Sequence, residues 1–232
     1  VALKEDLQAE VQQIFHEQWK VRAGSTVPSE DSITLGNDAV DIDATVLYAD
    51  ISDSTKLVDT YKHHFSAEIY RAFLRVAARI IRSEGGTITA YDGDRIMAVF
   101  VGQYKNTIAV RTALKINWAT KNIVQPGLKA EYPNSPFVLQ HTVGIDTSPL
   151  RVVQAGIRGS RDLVWIGRAA NWAAKLCALD DAHATWVTKA VYDVLADEAK
   201  YGGDPRRDMW EARTWTAMNA TPIYRSSWWW SF

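Results

Sequence analysis

The sequence predicts an α+β domain: an antiparallel sheet with helices laid on it, preceded by an amphipathic N-terminal helix. Three observations carry this. Short apolar runs ending in polar turns alternate with longer stretches whose apolar residues recur every three or four positions. Two of the apolar runs are separated only by Asp92-Gly93-Asp94-Arg95, a tight hairpin signal. The 232 residues are 47% hydrophobic and 23% charged, the balance of a chain that buries a core.

In chain order, Leu3, Leu7, Val11, Ile14, Phe15 and Trp19 set an apolar stripe on a helix over residues 3–21. A helix this short cannot bury its stripe alone, so it is expected to pack on the main domain or on a partner chain. Residues 23–38, rich in Gly, Ser, Pro, Asn and Asp, read as a linker. The expected organisation is therefore a helix and linker over 1–38 and one domain over 39–232. Residues 44–49 form a strand, and Leu57, Tyr61, Phe65, Ile69, Phe73, Val76 and Ile80 mark a helix over 55–82 that Gly85-Gly86 stops. Strands over 87–91 and 96–101 flank the hairpin turn. A helix over 105–123 and a Pro- and Gly-bearing surface loop over 125–136 follow. Strands over 138–145 and 151–155 are expected to pair, with a further strand over 163–166. Helices over 169–179 and 189–200 precede a last hairpin, 209–216 with 222–226. The helices are expected over one face of the sheet.

With 26 Lys plus Arg against 27 Asp plus Glu, the formal charge is −1. That balance offers no phosphate-tracking groove, so no nucleic-acid polymer is expected as a partner. Cys177 is the only cysteine, which excludes an internal disulfide and suits a reducing compartment. No run approaches the roughly 18 apolar residues of a membrane span. No membrane association and a cytoplasmic location are expected. The ten Trp residues include Trp228, Trp229 and Trp230 in sequence, a run that could cover a dimer surface or a sheet edge.

Three segments could carry chemistry. Asp50 ends an apolar strand just before Asp53, Ser54 and Thr55, whose backbone N–H groups would open a helix and attract anions. Asp94 sits in the following hairpin. Two carboxylates at neighbouring strand ends make an oxygen site suited to two Mg²⁺ or Mn²⁺ ions. In Gly167 to Leu176, Asn171 and Lys175 lie four apart on one helix face, where an amide and an ammonium could orient a ribose and stabilise phosphoryl charge. Plainer readings exist for each: a helix cap at residues 53–55, a simple turn in which Asp92 competes with Asp94, and a solvent-facing polar pair.

Taken in order, these segments resemble the class III nucleotidyl cyclases. VLYADISDST from Val46 looks like the family's strand and turn around its first metal Asp, and GGTITAYDGDRIMAVF from Gly85 like the hairpin bearing the second. LVWIGRAANWAAKL from Leu163 resembles its strand-helix segment with the catalytic Asn. The resemblance implies a ferredoxin-like βαββαβ sheet, with Asp50, Asp94 and the Ile51 carbonyl binding two divalent ions. It further implies that the amides of Asp53, Ser54 and Thr55 hold triphosphate oxygens. Asn171 would orient the ribose, and Lys175 would stand where the family usually has Arg. Active sites in the family are composite, formed across a homodimer.

Two positions where purine cyclases place base-reading polar groups hold Ala90 and Val164. Tyr48, two before Asp50 on the strand, and Arg95, directly after Asp94, instead offer a smaller and more polar pocket. In this the chain resembles the pyrimidine cyclases of bacterial antiphage (Pycsar) systems. That resemblance implies UTP or CTP as substrate and 3′,5′-cyclic UMP or cyclic CMP as product, with Asn171, Lys175 and Arg95 as the candidate catalytic groups. The product would act on a separate cyclic-nucleotide-gated effector. An adenylyl or guanylyl cyclase, and a catalytically inert nucleotide-sensing module, are the alternatives.

Overall fold

The computed structural model describes residues 2–180 and 182–232. The helices are α1 (Ala2–His16), α2 (Ser54–Thr60), α3 (His63–Ser83), α4 (Lys105–Ala119), α5 (Gln125–Glu131), α6 (Arg168–Cys177), α7 (Lys189–Tyr192) and α8 (Asp197–Lys200). The main sheet contains β1 (Lys20–Ala23), β2 (Asp38–Ile51), β3 (Thr87–Asp92), β4 (Arg95–Phe100), β5 (His141–Ile157), β6 (Ser160–Ile166), β7 (Thr185–Thr188), β8 (Glu211–Trp215) and β9 (Thr221–Ser226). Its strands run in the order β8-β9-β7-β5-β2-β4-β3, with β1 also paired to β2 and β6 to β5. Most pairs are antiparallel, as expected. Two are parallel, β1 with β2 and β5 with β7, which makes the sheet mixed. The second parallel pair follows from the α6 crossover, since a helix between two strands returns the chain in the same direction.

Helices cover both faces of this sheet, not one. Val40, Ile42, Ala44 and Val46 of β2 point to one side and pack with Leu150, Val152, Ile33 and the alanines of α6. Leu47, Ala49 and Ile51 point to the other and meet α3 and α4. Consecutive apolar residues in the middle of a strand are the mark of a strand buried on both faces, and β2 is one.

Several boundaries differ from expectation for identifiable reasons. Of the two strands expected to pair with each other, 141–145 of the first and all of 151–155 are parts of β5, one 17-residue strand. It runs against β2 from Ile51↔His141 to Ala39↔Val153, so the ladder along β2 replaces a local turn. The helix over 55–82 breaks at Tyr61, where the ring stacks on Phe65 at 4.7 Å and meets Phe137 edge-on. The loop over 125–136 is largely helical: a π turn at Thr120–Val124 carries α4 into α5. Pro126 occupies the first turn of α5, where a missing N–H donor costs little. The helix over 189–200 splits into α7 and α8, because Ala196 is extended and its N–H is taken by the Thr107 hydroxyl. The Trp run packs within its own chain at one of its ends. It lies along α4, where Trp230 N–H donates to the Leu114 carbonyl and Asn117 donates to the Trp228 carbonyl.

The stretch read as a linker docks on the domain: β1 adds to β2, and Ile33 is 1% exposed in the core beneath α6. By contrast α1 has no buried residue, and the expected packing on its own domain is not formed. Only its end is held, by the Asn37 amide donating to the carbonyls of Ile14 and Glu17.

Glu84 ties α3 to α4 through Arg111 and Lys115 while its side chain is 8% exposed. Burial alone would raise this carboxyl, but the hydrogen bonds from Lys115 and Arg111 outweigh it and hold it below the usual range. A depressed folded value means stability that is present above the ordinary carboxylate pKa and is lost as pH falls through the folded one. Glu84→Gln is therefore expected to lower stability by about 1–3 kcal/mol near neutrality. In urea titrations at a series of pH values, that difference should close in acid; a difference independent of pH would contradict the ion pairing.

Candidate functional site

The site is assembled by strand register. Tyr48 and Asp50 lie two apart on β2 and so share a face. Pairing of Ala49 with Ile96 on β4 places Arg95 and the β3–β4 turn beside Asp50. That turn is the two-residue loop Gly93-Asp94, closed by Asp92↔Arg95, and Gly93 takes φ +61°, a left-handed value that suits glycine. Asp94 is thereby a neighbour of Asp50 and raises the cost of charge on it.

Arg95 is the counter-ion. Its Nε and Nη2 donate to Asp50 Oδ2 at 3.1 and 2.7 Å, and its guanidinium carbon lies 6.0 Å from the centre of the Tyr48 ring. The guanidinium thus bonds the Asp50 carboxylate and lies near the Tyr48 ring. Burial pushes the Asp50 carboxyl above its ordinary value, Arg95 opposes this, and Asp94 adds to it. Burial likewise raises the Tyr48 hydroxyl.

Two oxygens remain without a donor: Asp50 Oδ1 and Asp94 Oδ2 are both buried and accept no hydrogen bond among the described residues. Buried carboxylate oxygens of this kind call for a cation. This donor set fits hard divalent ions. Among the described residues no group of three or more His, Cys, Asp or Glu side chains forms a metal cluster. Further ligands would have to come from backbone oxygen, such as the Ile51 carbonyl, and from a bound substrate.

The turn that follows leads into α2. Asp53 is left-handed at φ +54°, and its side chain makes no capping bond, so it is not used as a simple helix cap. Ser54 and Thr55 open the helix. Tyr70 of α3 stands beside Ser54 and close enough to Asp94 and Asp50 for both to act on its hydroxyl, which burial chiefly raises. Sequence reasoning missed it, because no local pattern links Tyr70 to Ser54, Asp50 and Asp94.

On the same face of β2 as Asp50, α6 approaches β5 at Gly144. A β-carbon there would lie 2.2 Å from the Ala173 carbonyl oxygen. Cys177, at the end of α6, is buried; its Sγ donates to the Tyr48 carbonyl at 3.0 Å and accepts from Gly144 N–H at 3.1 Å. Burial pushes its thiol far up, so it acts as a packing and hydrogen-bonding group behind the site. The start of α6 is fixed by Arg168, whose Nε and Nη2 donate to the fully buried Asp146 at 3.0 and 3.2 Å. Thr188 donates to the same carboxylate at 2.5 Å. Asp146 and Arg168 were also missed, for lack of any local pattern linking residues 22 apart.

Asn171 and Lys175 both project from α6. Asn171 is exposed and bonds only the Gly167 carbonyl, at 3.4 Å; Lys175 Nζ lies 3.7 Å from Met218 Sδ. Among the described residues, no hydrogen bond or ion pair joins either to Asp50, Asp94 or Arg95. The fold gathers Tyr48, Asp50, Asp94 and Arg95, while Asn171 and Lys175 bond only partners near their own helix and Met218. Ala90 is half-buried and packs, like Tyr48, on the core beneath α6, while Val164 is 41% exposed on β6. Neither adds a polar group.

Comparison with solved structures defines the class first. The adenylyl cyclase CyaB from P. aeruginosa matches 81% of this chain and 95% of its own with a TM-score of 0.67 at 19% identity. The guanylyl cyclase Cya2 matches 81% and 93% with a TM-score of 0.68 at 16% identity. The fold is that of the class III nucleotidyl cyclases. No protein-family model matches the sequence. Curated relatives are more particular. A uridylate cyclase from Xanthomonas perforans is 50% identical over 231 residues, covering 99% of both chains. One from Burkholderia cepacia is 50% identical over 233 residues, covering all of both, and one from Rhodovulum sp. is 38% identical over 99% of this chain and 98% of its own. The chain belongs to the uridylate cyclase family.

Proposed function

We propose that the chain converts UTP to 3′,5′-cyclic UMP and pyrophosphate, with CTP as the second-choice substrate. The observation that carries this reading is the pair of buried, donor-free oxygens on Asp50 and Asp94 beside Arg95 and Tyr48. It occurs in a chain half identical to full-length uridylate cyclases. The 3′-oxygen attacks the α-phosphorus, the bond from that phosphorus to the pyrophosphate oxygen breaks, and the hydroxyl proton passes to solvent. Bound by Asp50, Asp94 and the Ile51 carbonyl, two Mn²⁺ or Mg²⁺ ions would supply charge neutralisation on the triphosphate and a more acidic 3′-hydroxyl.

The chain's own residues do the rest. The backbone amides of Asp53, Ser54 and Thr55 take triphosphate oxygens, as a helix start does. Arg95 orients the Asp50 carboxylate and, with Tyr48, lines the base pocket. Ala90 and Val164 leave no polar group to satisfy a purine edge, and the Tyr48 ring narrows the space, which favours a pyrimidine. Asn171 orients the ribose and Lys175 places a point charge on the phosphoryl group. In keeping with the composite sites of the class III cyclases it resembles, the working unit is a homodimer in which one copy supplies the carboxylate pair and the other the Asn171 face.

Among the described residues no helix is long and apolar enough to cross a membrane. We place the enzyme in the cytoplasm, making a second messenger in antiphage defence that acts on a separate cyclic-nucleotide-gated effector. This rests on the resemblance to the Pycsar cyclases.

The test is to incubate the protein with Mn²⁺ and each ribonucleoside triphosphate separately and identify products by chromatography. Cyclic UMP and pyrophosphate from UTP are expected. A cyclic purine as the main product would overturn the pyrimidine reading, and no product from any triphosphate would favour a sensing module. Asn171→Ala is expected to lower kcat by about a hundredfold or more. Its melting temperature should hardly change, because the side chain bonds only one carbonyl of its own helix. Thermal scans beside initial rates would check both.

A further inference from the structure

On the α3–α5 side of the sheet lies an open groove of about 1230 Å³ between α3, β3 and α5. Its floor is apolar, from Leu74 and Val76 of α3, Ile88 of β3 and Leu128 of α5. One ridge carries Arg71, Arg75, Arg79 and Arg82, all exposed. Among the described residues none of the four takes part in an ion pair or a side-chain hydrogen bond. Of the two acids that line the groove, Glu68 and Glu131, the first is already bonded by the Tyr132 hydroxyl. The groove is an apolar slot whose cationic edge the two acids offset only in part.

The chain also has a helix with the complementary surface and nothing to cover it. Leu3, Leu7, Val11 and Ile14 of α1 are between 48 and 70% exposed. At 100° per residue, Asp6 and Glu10 fall along one edge of that stripe. The spacing of the four apolar residues, four, four and three, is the spacing of the four arginines, and each row spans about 16 Å of helix. The Asn37 amide holds the end of α1, so the helix projects at a set angle while its apolar face stays off its own domain.

We propose that α1 is an exchange arm: its apolar face lies in the arginine-edged groove of a second copy of the chain, with Asp6 and Glu10 against Arg75 and Arg79. Pairing of two α1 helices with each other would bury the same stripe. It would also bring two acidic edges together with only Lys4 to offset them, whereas the groove supplies four unpaired cations.

The native thiol is buried, so introduced cysteines report cleanly on the contact. Full-length Leu7→Cys protein is mixed with full-length Gly127→Cys protein, whose new side chain enters open space on α5, and oxidised. A disulfide between the two chains is expected, lost when the Gly127→Cys chain also carries Arg75→Glu and Arg79→Glu. It should return when Asp6→Arg and Glu10→Arg are added to the other chain. Leu7→Cys protein that links only to itself would mean that the arms pair with each other, and absence of any link would mean that the groove takes another occupant. Either result overturns the proposal.

Discussion

Asp50→Ala is expected to lower the rate of cyclic nucleotide formation at least about a thousandfold while leaving the protein folded. The loss follows from the geometry. Asp50 is the inner member of a two-carboxylate site in which one oxygen is held by Arg95 and the other is buried without a donor. Without it, the proposed cation site keeps only one of its two carboxylates, and the charge of the triphosphate is less fully neutralised. The fold should survive because burial and the neighbouring Asp94 both disfavour the Asp50 charge. The Arg95 side chain left behind is 33% exposed and can be hydrated. In chelator, the melting temperature of Asp50→Ala should equal or exceed that of the parent. An active Asp50→Ala enzyme would remove the site from the mechanism, and an unfolded one would show that the carboxylate is structural.

Gly144→Ala should do the reverse, taking stability first and activity with it. The added carbon would meet the Ala173 carbonyl oxygen at 2.2 Å and the Cys177 amide nitrogen at 2.8 Å, both backbone atoms that no rotamer change can move. To admit it, α6 must lift from β5. That strain and lost packing should cost about 3 kcal/mol, a fall in Tm of roughly 6–12 °C for a chain of this size. Asn171 and Lys175 move with α6, so kcat should fall in protein that is still folded at low temperature. Gly127→Ala is the control: its β-carbon meets nothing within 4 Å on α5, and replacing a helical glycine should raise stability by about 0.5–1 kcal/mol. Denaturant titration of the two variants beside the parent separates the effects.

These two cases also show which parts of the molecule were legible in the sequence. The Asp50 strand end and the Gly93-Asp94 hairpin could be found because each is local: an apolar run, a turn residue, a carboxylate at a fixed offset. The class of fold followed from the same signals. Elements whose form is set by distant partners were not legible. β5 is continuous because β2 offers it a ladder along its whole length, and α3 starts where aromatic packing breaks the helix at Tyr61. The helices divide between two faces, which the run of apolar residues in β2 allowed but did not state. At the site, Tyr48, Asp50, Asp94 and Arg95 were identified by spacing and resemblance. Their mutual arrangement, with Arg95 on Asp50, needed the β2–β4 register. Tyr70, Cys177 and the Asp146–Arg168 pair carry no sequence pattern, since each acts through contacts between elements far apart in the chain.

In the proposed dimer one copy of the chain holds half of each site, the carboxylate pair, and a second copy the Asn171 face. Co-expression of Asp50→Ala and Asn171→Ala chains tests this arrangement most directly, with cyclic UMP formation from UTP as the readout. Each variant alone should be nearly inactive. Random pairing should restore about a quarter of the parent rate, because half of the dimers would contain one intact site of two. Co-expressed chains that form mixed dimers yet remain as inactive as either variant alone would contradict a site shared between copies.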